Sequence, residues 1–399
     1  MNVLVVTQYF YPEEFKINDL VEELTHRGIS VTVLTGKPNY PHGSFFPGYR
    51  FWGIDKESYK GAKVIRVPLL RRGRGGAFRL VLNYLSFVIF GRLFLMFHKC
   101  HYDSVFVWGT SPITQAYPGI TAARKSKAKL SIWIQDLWPE SVSSASSIKN
   151  KFVLRYLRRM VSHIYSKCDF LFIQSEAFRD SVVEKGPFSS KLIYAPNWAE
   201  DVFVRNNADY EKYKDLMPNG FKVMFAGNIG EAQDFDSIID AAVISRERSD
   251  IKWVIVGDGR YRRYAEARVR EEGLSDSFVF LGRYPVNEMP SFFCHADVML
   301  VSLKNEYIFS LTIPSKIQAY MASGKPIVAM LNGEGAKVVA ESGCGFSVPA
   351  STSAKLAEVV SRLSIMSKDS LTQMGNKGHS YYLDHFDKSS VVDNIVRHL

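Results

Sequence analysis

One stretch does most to limit what this chain can fold into: Phe309-Ser-Leu-Thr-Ile-Pro-Ser-Lys-Ile-Gln-Ala-Tyr-Met-Ala-Ser-Gly-Lys-Pro-Ile-Val-Ala-Met330. Pro314 sits where a first helical turn tolerates proline, and Thr312 is placed to cap that turn. Ile317, Tyr320 and Met321 recur at helical spacing. Gly324 is the stop, and Pro326-Ile-Val-Ala reads as a buried strand. The first turn would direct free backbone N–H groups, the Thr312 and Ser315 hydroxyls and the Lys316 ammonium at one point, which makes an anion site. The alternative is a capped helix beside a core strand.

The 399 residues suit two domains of ordinary size, and 46% hydrophobic residues supply large cores. Strand, loop, helix and strand follow one another from Met1. Asn2-Val-Leu-Val-Val6 is an apolar strand, and Leu20, Val21 and Leu24 mark a helix that stops at Gly28. Ser30-Val-Thr-Val-Leu-Thr35 is the next strand. This is the βαβ unit of a doubly wound sheet, whose ligands collect at the C-terminal ends of strands. The loop over residues 9–18, with Glu13, Glu14, Phe15, Lys16 and Asn18, is therefore a candidate wall of a site. A solvated loop is the plain alternative. The G-x-G-x-x-G dinucleotide fingerprint is absent there. Further strands are predicted near residues 63–67, 104–108, 130–134, 170–174 and 192–195. The strand at 130–134 ends in Gln135-Asp-Leu-Trp-Pro-Glu140, which aims an amide and carboxylates at the same crevice; a turn residue is the other reading of Asp136.

The formal net charge of +10 asks for an anionic partner. Between residues 58 and 102 there are nine Lys or Arg and no Asp or Glu. Arg71-Arg-Gly-Arg-Gly-Gly there leads into an apolar run from Phe78 to Phe97, interrupted by Asn83, Ser86 and Arg92. A bilayer span needs roughly 20 apolar residues, but a span here would cut the first strands off from their sheet. The run reads as a helix partly in the core and partly facing a membrane, its arginines set for acidic lipid heads. A helix over 151–167 carries Val153, Tyr156, Leu157, Met160, Val161 and Ile164 on one stripe and Arg155, Arg158 and Arg159 off it. Nucleic acid is the weakest use of this charge, because the basic residues border an apolar run rather than a polar groove with spaced aromatics. Cys100, Cys168, Cys294 and Cys344 are far apart and suit reduced thiols in the cytoplasm. No signal peptide is expected ahead of the first strand.

A polar stretch from residue 197 to 220 separates the halves. The second half repeats the alternation, with strands near 222–227, 252–257, 278–282, 297–302 and 326–329. Glycine turns follow at Gly227-Asn-Ile-Gly230 and Gly257-Asp-Gly259, where backbone can approach a ligand closely.

Taken together, Phe225-Ala-Gly-Asn-Ile-Gly230, Val256-Gly-Asp-Gly259, Phe280-Leu-Gly-Arg283, Ala296-Asp-Val-Met-Leu-Val301 and Pro314-Ser-Lys-Ile-Gln-Ala-Tyr-Met-Ala-Ser-Gly-Lys-Pro-Ile327 resemble glycosyltransferase family 4. Tyr9-Phe-Tyr-Pro-Glu13 and Asp136-Leu-Trp-Pro-Glu140 extend the resemblance over nearly the whole chain. It implies an α/β GT-B fold: two facing Rossmann-like domains with a cleft between them. The expected division is 1–200 for the acceptor and membrane-facing domain and 201–385 for the nucleotide-sugar domain. The last helix, 386–399, is expected to pack back on the first domain. Phe15-Lys-Ile-Asn18 and Pro314-Ser-Lys316 look most like the bacterial O-antigen and capsule branch, of the N-acetyl-L-fucosamine transferase type.

The resemblance implies a donor site made by Gly227, Asn228, Gly230, Gly257, Gly259, Arg283, Ser310, Thr312, Ser315 and Gln318, with Lys316 on the diphosphate. It implies an acceptor side of Phe15, Lys16, Asn18, Gln135 and Glu140, with Asp136 or Glu14 orienting the acceptor hydroxyl. Three departures from the family pattern stand out. Ser310 and Gln318 replace the usual glutamate pair. Asn228 and Gln233 replace an arginine and a lysine. Gln135 replaces a histidine. Lys316 is then the main candidate to restore charge, followed by Lys304, Arg260 and Arg283. The expected reaction moves a sugar from a UDP-sugar to a polyprenyl-diphosphate-linked sugar, with no cofactor and no metal, and with retention. The expected place is the inner face of the cytoplasmic membrane. Two other readings stay open: a GT-B sugar-nucleotide epimerase, which would act without acceptor, and a non-catalytic membrane-surface scaffold, which would not bind nucleotide.

Overall fold

The computed structural model describes residues 1–399 except 74, 75, 100, 146–149 and 206, and the side chains of 77, 144 and 145. Arg74, Gly75, Cys100 and Lys149, which enter the basic-run and cysteine readings, lie outside the described residues. The chain divides into two compact units. One is Met1–Ala195 with Ser389–Leu399, the other Pro196–Lys388. The sequence reading divides it at 200/201 and 385/386.

The first unit is built on eight strands: β1 (Asn2–Val6), β2 (Ser30–Thr35), β3 (Asp55–Tyr59), β4 (Ala62–Arg66), β5 (Ser104–Gly109), β6 (Lys129–Ile134), β7 (Phe170–Ile173) and β8 (Leu192–Tyr194). Their order is β3-β4-β2-β1-β5-β6-β7-β8, parallel except for the β3–β4 pair. Val3, Val5 and Val6 of β1 are fully buried, as expected of a parallel strand covered on both faces. The chain leaves β1 in one direction for β2 and returns to its other side for β5. That reversal opens a crevice at the C-terminal ends of β1 and β5.

Strand β3, Asp-Lys-Glu-Ser-Tyr, is missing from the sequence reading because its charged edge carries no apolar run. The Lys60–Gly61 turn makes it, with both residues at positive φ (47° and 89°). Such a turn matches the twist of an antiparallel hairpin. The helix over Lys16–His26 begins inside the loop predicted for residues 9–18, so Lys16 and Asn18 belong to its first turn. The C-terminal helix contributes Asn394, whose amide donates to the Tyr194 carbonyl at 3.0 Å, and Asp393, which pairs with Arg27.

The Ala77–Phe97 helix turns its polar residues inward. Asn83 and Ser86 are buried. Asn83 accepts from Gln8 at 2.7 Å and donates to the Leu70 carbonyl, and the Ser86 hydroxyl accepts from the Leu70 N–H at 3.0 Å. Phe87 and Leu95 also face the core, and Gly91 lies against Pro118. The outward stripe is Phe78 (74% exposed), Val81, Leu85, Ile89 (53%), Leu93, Met96 and Phe97 (85%). By length and composition alone, Phe78–Phe97 could cross a membrane. The Lys151–Lys167 helix buries Val161, Ile164 and Tyr165 but exposes Phe152, Val153 and Tyr156. Only the C-terminal half of its predicted stripe is therefore core.

The second unit has six parallel strands: β9 (Phe221–Ala226), β10 (Ile251–Val256), β11 (Phe278–Gly282), β12 (Val298–Ser302), β13 (Ile327–Met330) and β14 (Gly345–Val348). Their order is β11-β10-β9-β12-β13-β14. Here the reversal falls between β9 and β12, so the crevice opens beside Gly227, the residue after β9.

Candidate functional site

The Ser315–Ala322 helix packs Ile317, Ala319, Tyr320, Met321 and Ala322 into the core of the second unit. Tyr320 sets its height against the sheet. Its hydroxyl accepts from the Ala226 N–H at 3.1 Å and donates to the Ala226 carbonyl at 3.2 Å, at the very end of β9. The next residue, Gly227, has φ 136°, and a Cβ built there would meet Lys316 Cε at 2.6 Å. The glycine turn and the helix start are thereby one construction, with the lysine stem lying under the turn.

Lys316 Nζ sits 4.0 Å from the centroid of the Phe225 ring. Among the described residues no carboxylate pairs with it. Burial lowers its pKa from the ordinary 10.5 to about 7. A cation held in this way, at the first turn of a helix without a side-chain cap, is suited to receive an anion. The capping role expected of Thr312 is not realised. Its hydroxyl donates to the Phe309 carbonyl at 3.3 Å, and extended Pro314 takes the N-cap position instead of the first helical one. The hydroxyl is spent on closing the short Tyr307–Ser310 helix.

Beside Gly227 lies a cavity of about 430 Å³, lined by Gly227, Asn228, Val256, Gly257, Asp258, Gly259, Arg283, Tyr284 and Met289. Five of the predicted donor-side residues meet here. The glycines have an internal reason as well. A Cβ on Gly257 would strike the Gly227 carbonyl oxygen at 1.8 Å, and one on Gly259 the Ile229 carbonyl oxygen at 2.1 Å. The two turns pack backbone on backbone, so a ligand is not the only thing that demands glycine. Gly230 is fixed by its N–H to the Gln233 amide oxygen at 3.0 Å.

Other predicted donor residues lie apart from this cavity. Ser315 is exposed at the helix start. Ser310 donates to the Tyr307 carbonyl and backs onto Gly333. Gln318 is fully buried, and its amide donates to the Asn197 carbonyl at 2.6 Å. The side chain standing in for a glutamate thus ties the helix to the start of the unit. Of the further cations, Lys304 is paired with Glu231 at 3.0 Å, Arg283 lines the cavity and Arg260 is exposed.

In the first unit the loops after β1, β2, β4, β5 and β6 gather at one edge of the sheet. Asp136 accepts from the Ser111 N–H at 2.8 Å and the Thr110 hydroxyl at 3.2 Å. Gln135 is half-buried beside it. The built-in carboxylate of the 9–18 loop is Glu13, not the exposed Glu14. Glu13 accepts from the N–H groups of Phe10 (3.2 Å), Asn39 (2.8 Å) and Tyr40 (2.7 Å), and burial raises its pKa from 4.5 to about 7. Asn18 braces the same loop, accepting from the Tyr11 N–H and donating to the Glu13 carbonyl. Phe15 stacks on Tyr9 at 5.3 Å, and Lys16 pairs with Asp19 at 3.2 Å. Glu140 accepts from buried Lys185 at 2.7 Å and from the Ser181 hydroxyl at 3.0 Å. The roles of Glu13 and Tyr320 are not legible in the sequence: Glu13 is visible only as part of the Glu13-Glu14 pair and Tyr320 only as an apolar position of a helix, because the partners that define them, Asn39 and Tyr40 for the one and Ala226 for the other, are distant in the chain. Among the described residues no three His, Cys, Asp or Glu side chains come together as metal ligands.

Two family models match the chain. Residues 15–198 match a glycosyl transferase 4-like domain and residues 220–365 match glycosyl transferases group 1. The "Probable glycosyltransferase WbjE" of Pseudomonas aeruginosa is 26% identical over 332 residues, covering 80% of this chain and 78% of that protein. WcaI of Escherichia coli K12, named for colanic acid biosynthesis as a glycosyl transferase, is 26% identical over 337 residues, covering 81% and 82%. The crystal structure of Anabaena HepE in complex with UDP-glucose superposes with a TM-score of 0.68 at 14% identity, covering 100% of this chain and 99% of that one. The fold is GT-B, with two Rossmann-like domains.

Proposed function

We propose that this chain, whose residues 15–198 match a glycosyl transferase 4-like domain and whose residues 220–365 match glycosyl transferases group 1, transfers a sugar from a UDP-sugar to a polyprenyl-diphosphate-linked sugar in the synthesis of a bacterial surface polysaccharide. The observation that carries this is Lys316: a half-buried ammonium with no carboxylate partner among the described residues, under the Gly227 turn and beside the 430 Å³ cavity. The nucleoside occupies that cavity. The diphosphate meets Lys316 and the first-turn N–H groups of the Ser315–Ala322 helix.

In the reaction the bond from the anomeric carbon to the diphosphate oxygen breaks, and the acceptor hydroxyl forms the new bond. The leaving diphosphate takes up negative charge, and a protonated Lys316 stabilises it where that charge develops. Asp136, held by Ser111 and Thr110, orients the acceptor hydroxyl, whose proton passes to the departing diphosphate. No metal and no cofactor are needed on this reading, and the anomeric configuration is retained. The sugar is an N-acetylated deoxyhexosamine of the N-acetyl-L-fucosamine type, and the product is O-antigen or capsule. HepE, bound to UDP-glucose, supports the uridine donor, and WcaI, named for colanic acid biosynthesis, supports the polysaccharide product.

The enzyme works as a peripheral protein at the inner face of the cytoplasmic membrane. The outward apolar stripe of Ala77–Phe97, together with Phe152 and Tyr156 among arginines, supports this site of action. The deciding experiment incubates the full chain with a panel of nucleotide sugars and a synthetic polyprenyl-diphosphate sugar, in EDTA, and reads products by mass spectrometry. Sugar on the lipid acceptor is expected. Epimerised nucleotide sugar without acceptor, or no nucleotide binding at all, would replace this reading with the epimerase or the scaffold.

A further inference from the structure

Three buried or largely buried cations near the core of the first unit have carboxylate partners. Arg66 pairs with Glu57 at 2.9 Å, Lys37 with Asp55, and Lys185 with Glu140 at 2.7 Å. Arg72 is different. Among the described residues no carboxylate lies within ion-pair distance of it. Its guanidinium stands 5.9 Å from the Tyr9 ring centroid and 5.2 Å from that of Tyr40, and donates to the Tyr9 hydroxyl at 3.2 Å. Its own N–H donates to the Asn39 amide oxygen at 3.1 Å. Tyr84, on the Ala77–Phe97 helix, is close enough to Tyr9 and Arg72 to interact electrostatically with both.

The frame is rigid. Phe15 and Tyr40 contact each other and Tyr9, and Glu13 clamps the Asn39 and Tyr40 N–H groups to the 9–18 loop. None of these contacts neutralises the arginine. Burial keeps the Tyr9 hydroxyl protonated, far above its ordinary pKa. A second arginine lies close. Arg79 folds over Gly73, the residue after Arg72, where a Cβ would meet its Nη1 at 2.8 Å. Gly73 is itself held by its N–H to the Gly43 carbonyl at 2.9 Å. The two arginines stand at the N-terminal end of the helix whose outer face is apolar.

We propose that Arg72, framed by Tyr9 and Tyr40 and assisted by Arg79, receives the phosphate ester of the lipid-linked acceptor and so selects phosphorylated over neutral acceptors. The proposal rests on the transferase reading above. With one Nη1 hydrogen bond to the Tyr9 hydroxyl, the guanidinium keeps further N–H donors, a planar fork for two phosphate oxygens that an ammonium cannot match. The apolar stripe beginning at Phe78 then lies where the lipid of the same molecule would continue.

The test uses two acceptors bearing the same sugar in non-ionic micelles, one on a short prenyl diphosphate and one on a neutral alkyl chain. Wild-type protein should favour the diphosphate acceptor in kcat/KM. In Arg72→Gln that preference should fall about 10- to 100-fold, the size of a lost charge-assisted pair, and in Arg72→Lys by an intermediate factor. The circular dichroism spectrum and thermal midpoint check that each variant is folded, and UDP affinity checks that the second unit is undisturbed. An unchanged preference, or an equal loss with both acceptors, would overturn the proposal while the transferase reading stands. So would a loss confined to binding of vesicles containing phosphatidylglycerol, which would assign Arg72 to a membrane headgroup. If wild-type protein transfers to neither acceptor, the transferase reading fails and this proposal with it.

Discussion

Replacing Lys316 with methionine separates what the lysine costs the fold from what it does for the donor. The unfolded chain holds this lysine at a pKa of about 10.4, while the folded protein holds it at about 7. At about 1.36 kcal/mol per unit, the ligand-free fold pays up to roughly 4 kcal/mol at pH 7 for this one group. The partial exposure of the residue makes that an upper figure. The sign follows from proton counting. Between pH 7 and about 10 the unfolded chain keeps a proton that the folded protein has released, so stability rises with pH across that window. Lys316→Met should abolish that slope and raise the thermal midpoint of ligand-free protein near pH 7 by several degrees. It should do the opposite to the ligand. A diphosphate selects the protonated lysine, so UDP affinity is highest below pH 7 and falls by up to about tenfold per pH unit above it. In Lys316→Met the affinity should be about 10- to 100-fold weaker, as for a lost charge-assisted hydrogen bond, and flat with pH. Calorimetric titration of UDP from pH 6 to 9 reads both effects, with uridine as the control that lacks phosphate. Wild-type affinity and an unaltered pH profile in the variant would refute the reasoning.

Three more outcomes are expected. Gly227→Ala puts a methyl within 2.6 Å of Lys316 Cε at a φ of 136°, so UDP binding should weaken at least tenfold by calorimetry. Leu85→Glu with Ile89→Glu places charge on the outward stripe without touching the core; flotation with acidic vesicles should be lost while the circular dichroism spectrum and UDP affinity are kept. Glu13 has its pKa raised to about 7 from 4.5, so the folded protein retains a proton that the unfolded chain loses between those values, and stability should fall by about 3 kcal/mol as pH rises through that window. In Glu13→Gln, urea denaturation from pH 4.5 to 7.5 should show that slope removed.

Much of the fold was readable from local pattern. Short apolar runs such as Val3–Val6 and Val298–Val301, bounded by turn residues, read as strands buried on both faces, and their alternation with helices leaves a doubly wound sheet as the economical arrangement. The charged strand β3 escaped because a turn, not an apolar run, makes it. At the candidate donor site, the residues from Pro314 to Met330 determined a helix start with a lysine in its first turn, and glycine turns could be placed at the ends of other strands of the same half. Tertiary structure decided what each residue does there. It spent Thr312 on a neighbouring carbonyl, buried Gln318 against Asn197, and slid the Lys316 stem beneath Gly227. It likewise turned Asn83 and Ser86 inward so that the Ala77–Phe97 helix shows its apolar side outward, and it gave Arg66 a carboxylate but left Arg72 with tyrosines. The physical reason is common to all of them. Periodicity and glycine placement act over a few residues and are written in the chain, whereas burial and the partner of a charge depend on segments tens of residues away that meet only when the sheet is assembled.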